Sequence, residues 1–137
     1  MGAACMEAEP GEERTMAANK DVVGLAMENS SFRRVVETGE HCQVVLMSIP
    51  PGGEIGEETH DHVDQVLVFV AGAGEAVLEG ERTPTGPGRL VFVPAGTRHN
   101  FVNSGGGDLK LYTVYAPPEH APGTVHETKA DADAAEH

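Results

Sequence analysis

GGEIGEETHDHVDQVLVFVAG, Gly52 to Gly72, is the stretch that decides the fold. Between a Pro-Pro-Gly-Gly turn and a run of Val, Leu and Phe it places Glu57, Glu58, His60, Asp61, His62, Asp64 and Gln65. A core strand needs apolar residues on its buried face, and a surface loop has no use for imidazoles interleaved with carboxylates at short spacing. We read the stretch as a metal-binding hairpin.

Working outward, the neighbouring segments have strand character. QVLVFV is almost continuously apolar, which suits a strand covered on both faces, by a core on one side and a second sheet or subunit on the other. Upstream, HCQVVLMSI ends at Pro50-Pro51-Gly52-Gly53, and VVGLAM and FRRVVETG read as short strands around Asn29-Ser30-Ser31. Downstream, EAVLEG alternates up to Gly80 and Thr83 to Gly88 reads as a Pro/Gly connection. RLVFV, the Pro94-Ala95-Gly96 turn, TRHNFVN, a turn at Gly105 to Asp108 and LKLYTVY follow. Short strands punctuated by turns, with no helical stripe between them, predict an all-β sandwich or small barrel. The expected organisation is a flexible acidic leader over 1–20, a barrel over 21–116, and a tail over 117–137 that is either solvated or carries a short helix from Thr128.

Composition narrows the function. The 137 residues have room for one domain, and 17 glycines, 9 prolines and 4% aromatics favour strands and turns over a bundle. A net charge of −13 repels phosphate backbones, so nucleic acid is not an expected partner. The start lacks the basic and apolar regions of a signal peptide, and no apolar run reaches membrane-spanning length. A soluble cytoplasmic protein, with no membrane partner, is the expectation. Cys5 and Cys42 do not make a disulfide framework, and Cys42, at the edge of an apolar run, is expected to be buried.

Two motifs carry a resemblance. Gly88, Pro94, Gly96, His99 and Asn103 stand at the spacing of the second cupin motif, G-x5-P-x-G-x2-H-x3-N. For the first motif, G-x5-H-x-H-x3,4-E-x6-G, laying His60 and His62 on H-x-H leaves the glycine and acid positions to Glu54 and to Val66 or Leu67. Shifting by two residues recovers every spacing and both glycines, with Gly52, Glu58, His60, Gln65 and Gly72. Over roughly Val44 to Tyr115 the chain therefore resembles the cupins, which implies a single-domain double-stranded β-helix, or jelly-roll barrel, with motifs over 52–72 and 88–103. Glu58 stands where the family has its first histidine, and Gln65 where it has glutamate.

The resemblance implies the metal ligands Glu58, His60, Gln65 and His99. Residues two apart on a strand share a face, so Glu58 and His60 can meet one ion, with Gln65 on the return strand and Asp61 to Asp64 as the turn. Two imidazoles, one carboxylate and one amide oxygen suit one divalent zinc, iron, manganese, nickel or cobalt ion and disfavour a thiolate-type structural site. Zinc is favoured because the set looks like a permutation of the zinc site of type I phosphomannose isomerases. His62 falls off the ligand register, on the turn, and is a candidate proton shuttle. Tyr112 and Gln43 are candidate cavity residues whose face alternation leaves open, and Asn103 with the motif glycines and proline are turn formers. His120, His126 and His137 lack ligand spacing and are expected in solvent. Lys110 or Arg82 alone would be a weak anchor for an anionic ligand.

These features imply a small metal-dependent enzyme acting on a small oxygenated substrate, by isomerase-like or dioxygenase chemistry. The alternative is a non-catalytic module that binds a sugar or small acid. A homodimer is expected, because QVLVFV needs cover on its outer side.

Overall fold

Alternation along the strands divides each of them between a core face and an outer face. In the computed structural model, which describes residues 16–135, the elements run α1 (Val22–Glu28), β1 (Arg33–Thr38), β2 (Gln43–Ile49), β3 (Asp64–Ala71), β4 (Gly74–Leu78), β5 (Glu81–Thr85), β6 (Leu90–Val93), β7 (His99–Asn103), β8 (Leu109–Ala116), β9 (Val125–His126) and α2 (Lys129–Ala135). Residues 1–15 of the expected leader, with Cys5, and His137 lie outside the described residues. The strands form a six-stranded sheet in the order β6-β3-β8-β2-β1-β9 and a three-stranded sheet in the order β5-β4-β7, antiparallel in every pairing. Segment 53–58 runs beside β7 as a broken fourth ribbon, with bridges from Glu54 to Val102 and from Glu58 to His99.

The core lies between the two sheets. Leu67 and Phe69 of β3, Val45, Met47 and Ile49 of β2, Leu109 and Leu111 of β8, and Phe101 of β7 are its buried members. Phe69 and Phe101 meet across the sheets with ring centroids 5.7 Å apart. Burying each such ring contributes about 1.5–3 kcal/mol.

Several local expectations are corrected. VVGLAM is the helix α1, because Asp21 Oδ1 accepts from Gly24 N at 3.0 Å to start the turn and Lys110 Nζ donates to the Met27 and Asn29 carbonyls at its end. The helix lies against β8, β2 and β3 and so covers part of the outer face of the large sheet from within the chain. Lys110 is thus occupied as a cap, and Arg82 as the partner of Glu75 at 2.7 Å. Thr83 to Gly88 is not wholly a connection: Glu81–Thr85 pairs with β4 as an edge strand, where Pro84 has no second neighbour to miss its N–H. Cys42 is exposed, since it precedes β2 instead of sharing its buried face.

The segment after Pro118 returns to the barrel. β9 pairs with β1, and α2 buries Ala132 after a first turn in which Thr128 Oγ1 accepts from Asp131 N. Among the described residues no helix is long and apolar enough to cross a membrane.

The turn residues of the motifs have separable tasks. Asn103 donates from Nδ2 to the Ile49 and Gly107 carbonyls at 2.8 Å each and accepts from Gly105 N, stapling the 104–107 turn to the end of β2. Gly72 has φ +90 and a Cβ there would sit 2.5 Å from the Asp108 carbonyl oxygen, whereas Gly96, at φ +86, has open space around it. Gly96→Ala should therefore cost only backbone strain, about 1–2 kcal/mol. Gly72→Ala adds a backbone clash and should cost about 2–5 kcal/mol. Urea unfolding of the two variants checks this, and equal losses would refute the clash.

Candidate metal centre

The backbone of the 53–58 ribbon delivers the first donor. Glu58 N donates to His99 O and His99 N to Glu58 O, both at 2.9 Å, so the two residues face each other as an antiparallel pair. Gly56, with φ +107, breaks the ribbon just before, and its N–H is taken by Asn100 Oδ1 at 2.8 Å. His60 follows outside regular strand, fixed by its carbonyl accepting from Gly96 N at 2.8 Å. The turn is also tied from the other side, where Ala95 N donates to Asp64 Oδ1 at 2.9 Å. The Pro94-Ala95-Gly96 turn thus braces the first motif as well as leading into His99.

Glu58, His60 and His99 offer donor atoms that all lie within 4.8 Å of one another. His60 Nε2 stands 3.5 Å from Glu58 Oε1, and the two imidazole rings are 5.3 Å apart. His99 is buried, and its Nδ1 lies 2.8 Å from the Thr97 carbonyl, which can only accept. That ring nitrogen therefore carries the proton and Nε2 presents its lone pair, buried and without a hydrogen-bond partner.

Gln65 is oriented by similar logic. It is 3% exposed, its Nε2 donates to Thr113 Oγ1 at 3.0 Å, and Thr113 Oγ1 in turn donates to the Val66 carbonyl. The amide oxygen is left buried and unpartnered. Such an arrangement costs about 1–3 kcal/mol unless something satisfies it. The residues fit a divalent ion on this ground: a tautomer-locked imidazole, an orphaned buried amide oxygen and a carboxylate clustered with two histidines.

Burial, the largest influence on the Glu58 carboxyl, would raise it, but the contact with His60, its charge, and the charges of Arg33 and His99 together outweigh burial and hold it below the ordinary carboxylate value. The group enters the site ionised, the form a cation needs.

The remaining candidates are redistributed. His62 is exposed on the Asp61-His62 turn, away from the cluster formed by Glu58, His60 and His99. Tyr112 points outward toward α1, because Leu111, Thr113 and Tyr115 take the inner face of β8. Tyr115 is the tyrosine at the site, its ring 6.1 Å from that of His60. Gln43 is fully buried and bonds to the 119–120 loop.

His120 is not in solvent. With Glu58, Thr59, His60, Tyr115 and Glu119 it lines a cavity of about 380 Å³. Its ring stacks edge-on against Tyr115 at 5.1 Å. His126 is half-buried with Nδ1 3.2 Å from Arg33 Nη1. Motif spacing could not reveal His120, since a return loop brings it to the site. The Pro117-Pro118 break before Glu119-His120 was its only signal.

Burial first, and the Arg33 charge second, push the His120 imidazole down to about 4. The ring is therefore neutral at pH 7. In the unfolded chain it takes up its proton near 6.5 and in the folded chain near 4, so stability is lost as pH falls through that window. Glu58 acts in the same direction lower down, its contribution being present above 4.5 and lost as pH falls below it. An NMR titration should place the His120 midpoint near 4, and His120→Gln should lessen the acid sensitivity above pH 4. A midpoint at the model-peptide value of about 6.5 would show the ring to be solvated.

A two-sheet antiparallel barrel with clustered histidines and a carboxylate at one end defines the class, and sequence comparison identifies it. The Cupin domain family model matches residues 45–115, and the chain belongs to the cupin family. The chain is 48% identical over 115 residues to YrkC of Bacillus subtilis (strain 168), covering 80% of this chain and 62% of that protein. The crystal structure of BH2720 from Bacillus halodurans superposes with a TM-score of 0.86 at 41% identity, covering 87% of this chain and 95% of that one. More distantly, the chain is 30% identical over 79 residues to a mannose-1-phosphate guanylyltransferase of Salmonella montevideo, covering 58% of this chain and 17% of that enzyme. The chain thus spans less than two thirds of these curated relatives.

Proposed function

We propose that Glu58, His60, Gln65 and His99 hold one divalent metal ion, zinc by preference, and that the site moves a proton next to a carbonyl on a small polyhydroxylated substrate. The observation that carries the reading is the convergence of Glu58, His60 and His99 donors within 4.8 Å, together with buried Gln65 Oε1 and His99 Nε2 atoms that have no hydrogen-bond partner among the described residues. When bound, a divalent ion supplies Lewis acidity toward a substrate oxygen. Iron, manganese, nickel and cobalt suit the same donors, and a redox metal would bring dioxygenase chemistry instead.

Neutral His120 favours proton transfer. It stands in the same cavity as Glu58 and His60, with a buried Nε2 that has no hydrogen-bond partner among the described residues. That nitrogen can accept a proton from the carbon beside a carbonyl and return it to the former carbonyl carbon, while the hydroxyls of Thr59 and Tyr115 bind substrate oxygens. The hydroxyl proton of the first carbon passes to the former carbonyl oxygen as the C=O bond shifts over. Among the described residues no lysine or arginine lines this cavity, which supports an uncharged substrate over a phosphorylated one. A non-catalytic sugar-binding role uses the same groups without the exchange.

Protein purified without added metal should carry close to one ion per chain. Glu58→Ala and Gln65→Ala should lower that content more than His62→Ala, and the reverse order would place the ligands in the other register. In D2O with a panel of unphosphorylated aldoses and ketoses, proton NMR should show exchange at the carbon beside the carbonyl. His120→Gln should slow it by about 10²-fold or more while leaving metal content unchanged. Stabilisation by a sugar without exchange would establish the binding module, and oxygen consumption the dioxygenase.

A homodimer belongs to the same reading. Leu90 and Phe92 of edge strand β6 are 61% and 51% exposed beside β3, a patch suited to pairing with a second copy. Sedimentation should give twice the chain mass, and Phe92→Glu should halve it.

A further inference from the structure

We infer that Glu119 is a positioning residue for His60, and that the buried Gln43 is the clamp that brings it there. The inference rests on the metal-site reading above and extends it to a segment outside both motifs.

Gln43 opens β2 with no exposure, and its amide is fully spent on the far end of the chain. Its Oε1 accepts from Glu119 N at 3.2 Å and His120 N at 3.0 Å. Its Nε2 donates to the His120 carbonyl at 2.6 Å and to Thr38 Oγ1 at 3.0 Å. Two donors and two lone pairs are all that a glutamine has. β9 ties the segment to β1 further on, and this clamp pins its backbone at Glu119 and His120 beside the cavity.

The pinned loop sets the Glu119 carboxylate, one third exposed, with Oε2 3.5 Å from His60 Nδ1. The opposite ring nitrogen of His60 faces Glu58 Oε1. With a cation on Nε2 the ring proton lies on Nδ1, where the Glu119 carboxylate orients the ring and raises the basicity of the ligating nitrogen. The two imidazoles of the site each meet an acceptor at Nδ1. The Thr97 carbonyl, two residues away on the same turn, lies 2.8 Å from the Nδ1 of His99, and the Glu119 carboxylate, 59 residues away in sequence, stands 3.5 Å from that of His60. Only the second arrangement adds negative charge beside the donors.

Zinc affinity by chelator competition on the full chain tests this. Glu119→Gln should bind zinc about 10–100-fold more weakly than wild type. Gln43→Ala should lose a similar factor, and the double variant should lose no more than the worse single one, because both changes remove the same contact. In zinc-loaded ¹⁵N-labelled protein, where Nε2 is taken by the ion, the His60 Nδ1–H resonance should shift in Glu119→Gln relative to wild type. Should Gln43→Ala fail to fold, Glu119→Gln alters only a partly exposed side chain and keeps the test intact. Wild-type zinc binding with unchanged affinity and an unchanged His60 Nδ1–H resonance in Glu119→Gln would overturn the positioning role and leave the site standing. A wild-type chain that takes up no zinc, manganese or iron would overturn the site itself.

Discussion

The antiparallel pair between Glu58 and His99 is the constraint on which the site depends. Two backbone hydrogen bonds of 2.9 Å join a ribbon that is not a strand to the first residue of β7. They put a carboxylate across from an imidazole without any side chain having to reach. Everything else serves this pairing: Gly56 turns the ribbon, Asn100 takes the N–H the turn frees, and the Pro94-Ala95-Gly96 turn holds His60 by its carbonyl. The apolar contact of Phe69 with Phe101 closes the two sheets below it.

The electrostatics follow from burial under these constraints. Carboxylate and imidazole would each resist charge alone in a half-buried pocket, and together they stabilise an ionised Glu58. His120, on the same cavity, stays neutral because burial first and the positive charge of Arg33 second outweigh the pull of Glu58. One pocket therefore holds an ionised carboxylate and an uncharged imidazole side by side.

How much was legible in the sequence depended on whether the information was local. The spacing of Glu58, His60, Gln65 and His99 was readable because motif spacing encodes strand and turn lengths, and the structure brings Glu58, His60 and His99 into one cluster. The local means was different, since Glu58 and His60 do not share a regular strand. VVGLAM misled because a helix of seven residues is decided by its cap and by the sheet beneath it, neither of which periodicity detects. Tyr112 and Tyr115 were a matter of which face of β8 meets the core, and a one-residue step reverses the answer. Glu119 and His120 carried no signal beyond the Pro117-Pro118 break, because their place comes from Gln43, on a strand distant in sequence.

The proposed metal would be seen most directly by anomalous diffraction from crystals of the purified protein, collected at the absorption edges of zinc, iron and manganese. The account predicts one strong peak about 2.0–2.2 Å from Glu58, Gln65 Oε1 and the Nε2 atoms of His60 and His99. A peak coordinated by His62 in place of Glu58, or none in crystals of protein shown to bind metal in solution, would contradict it.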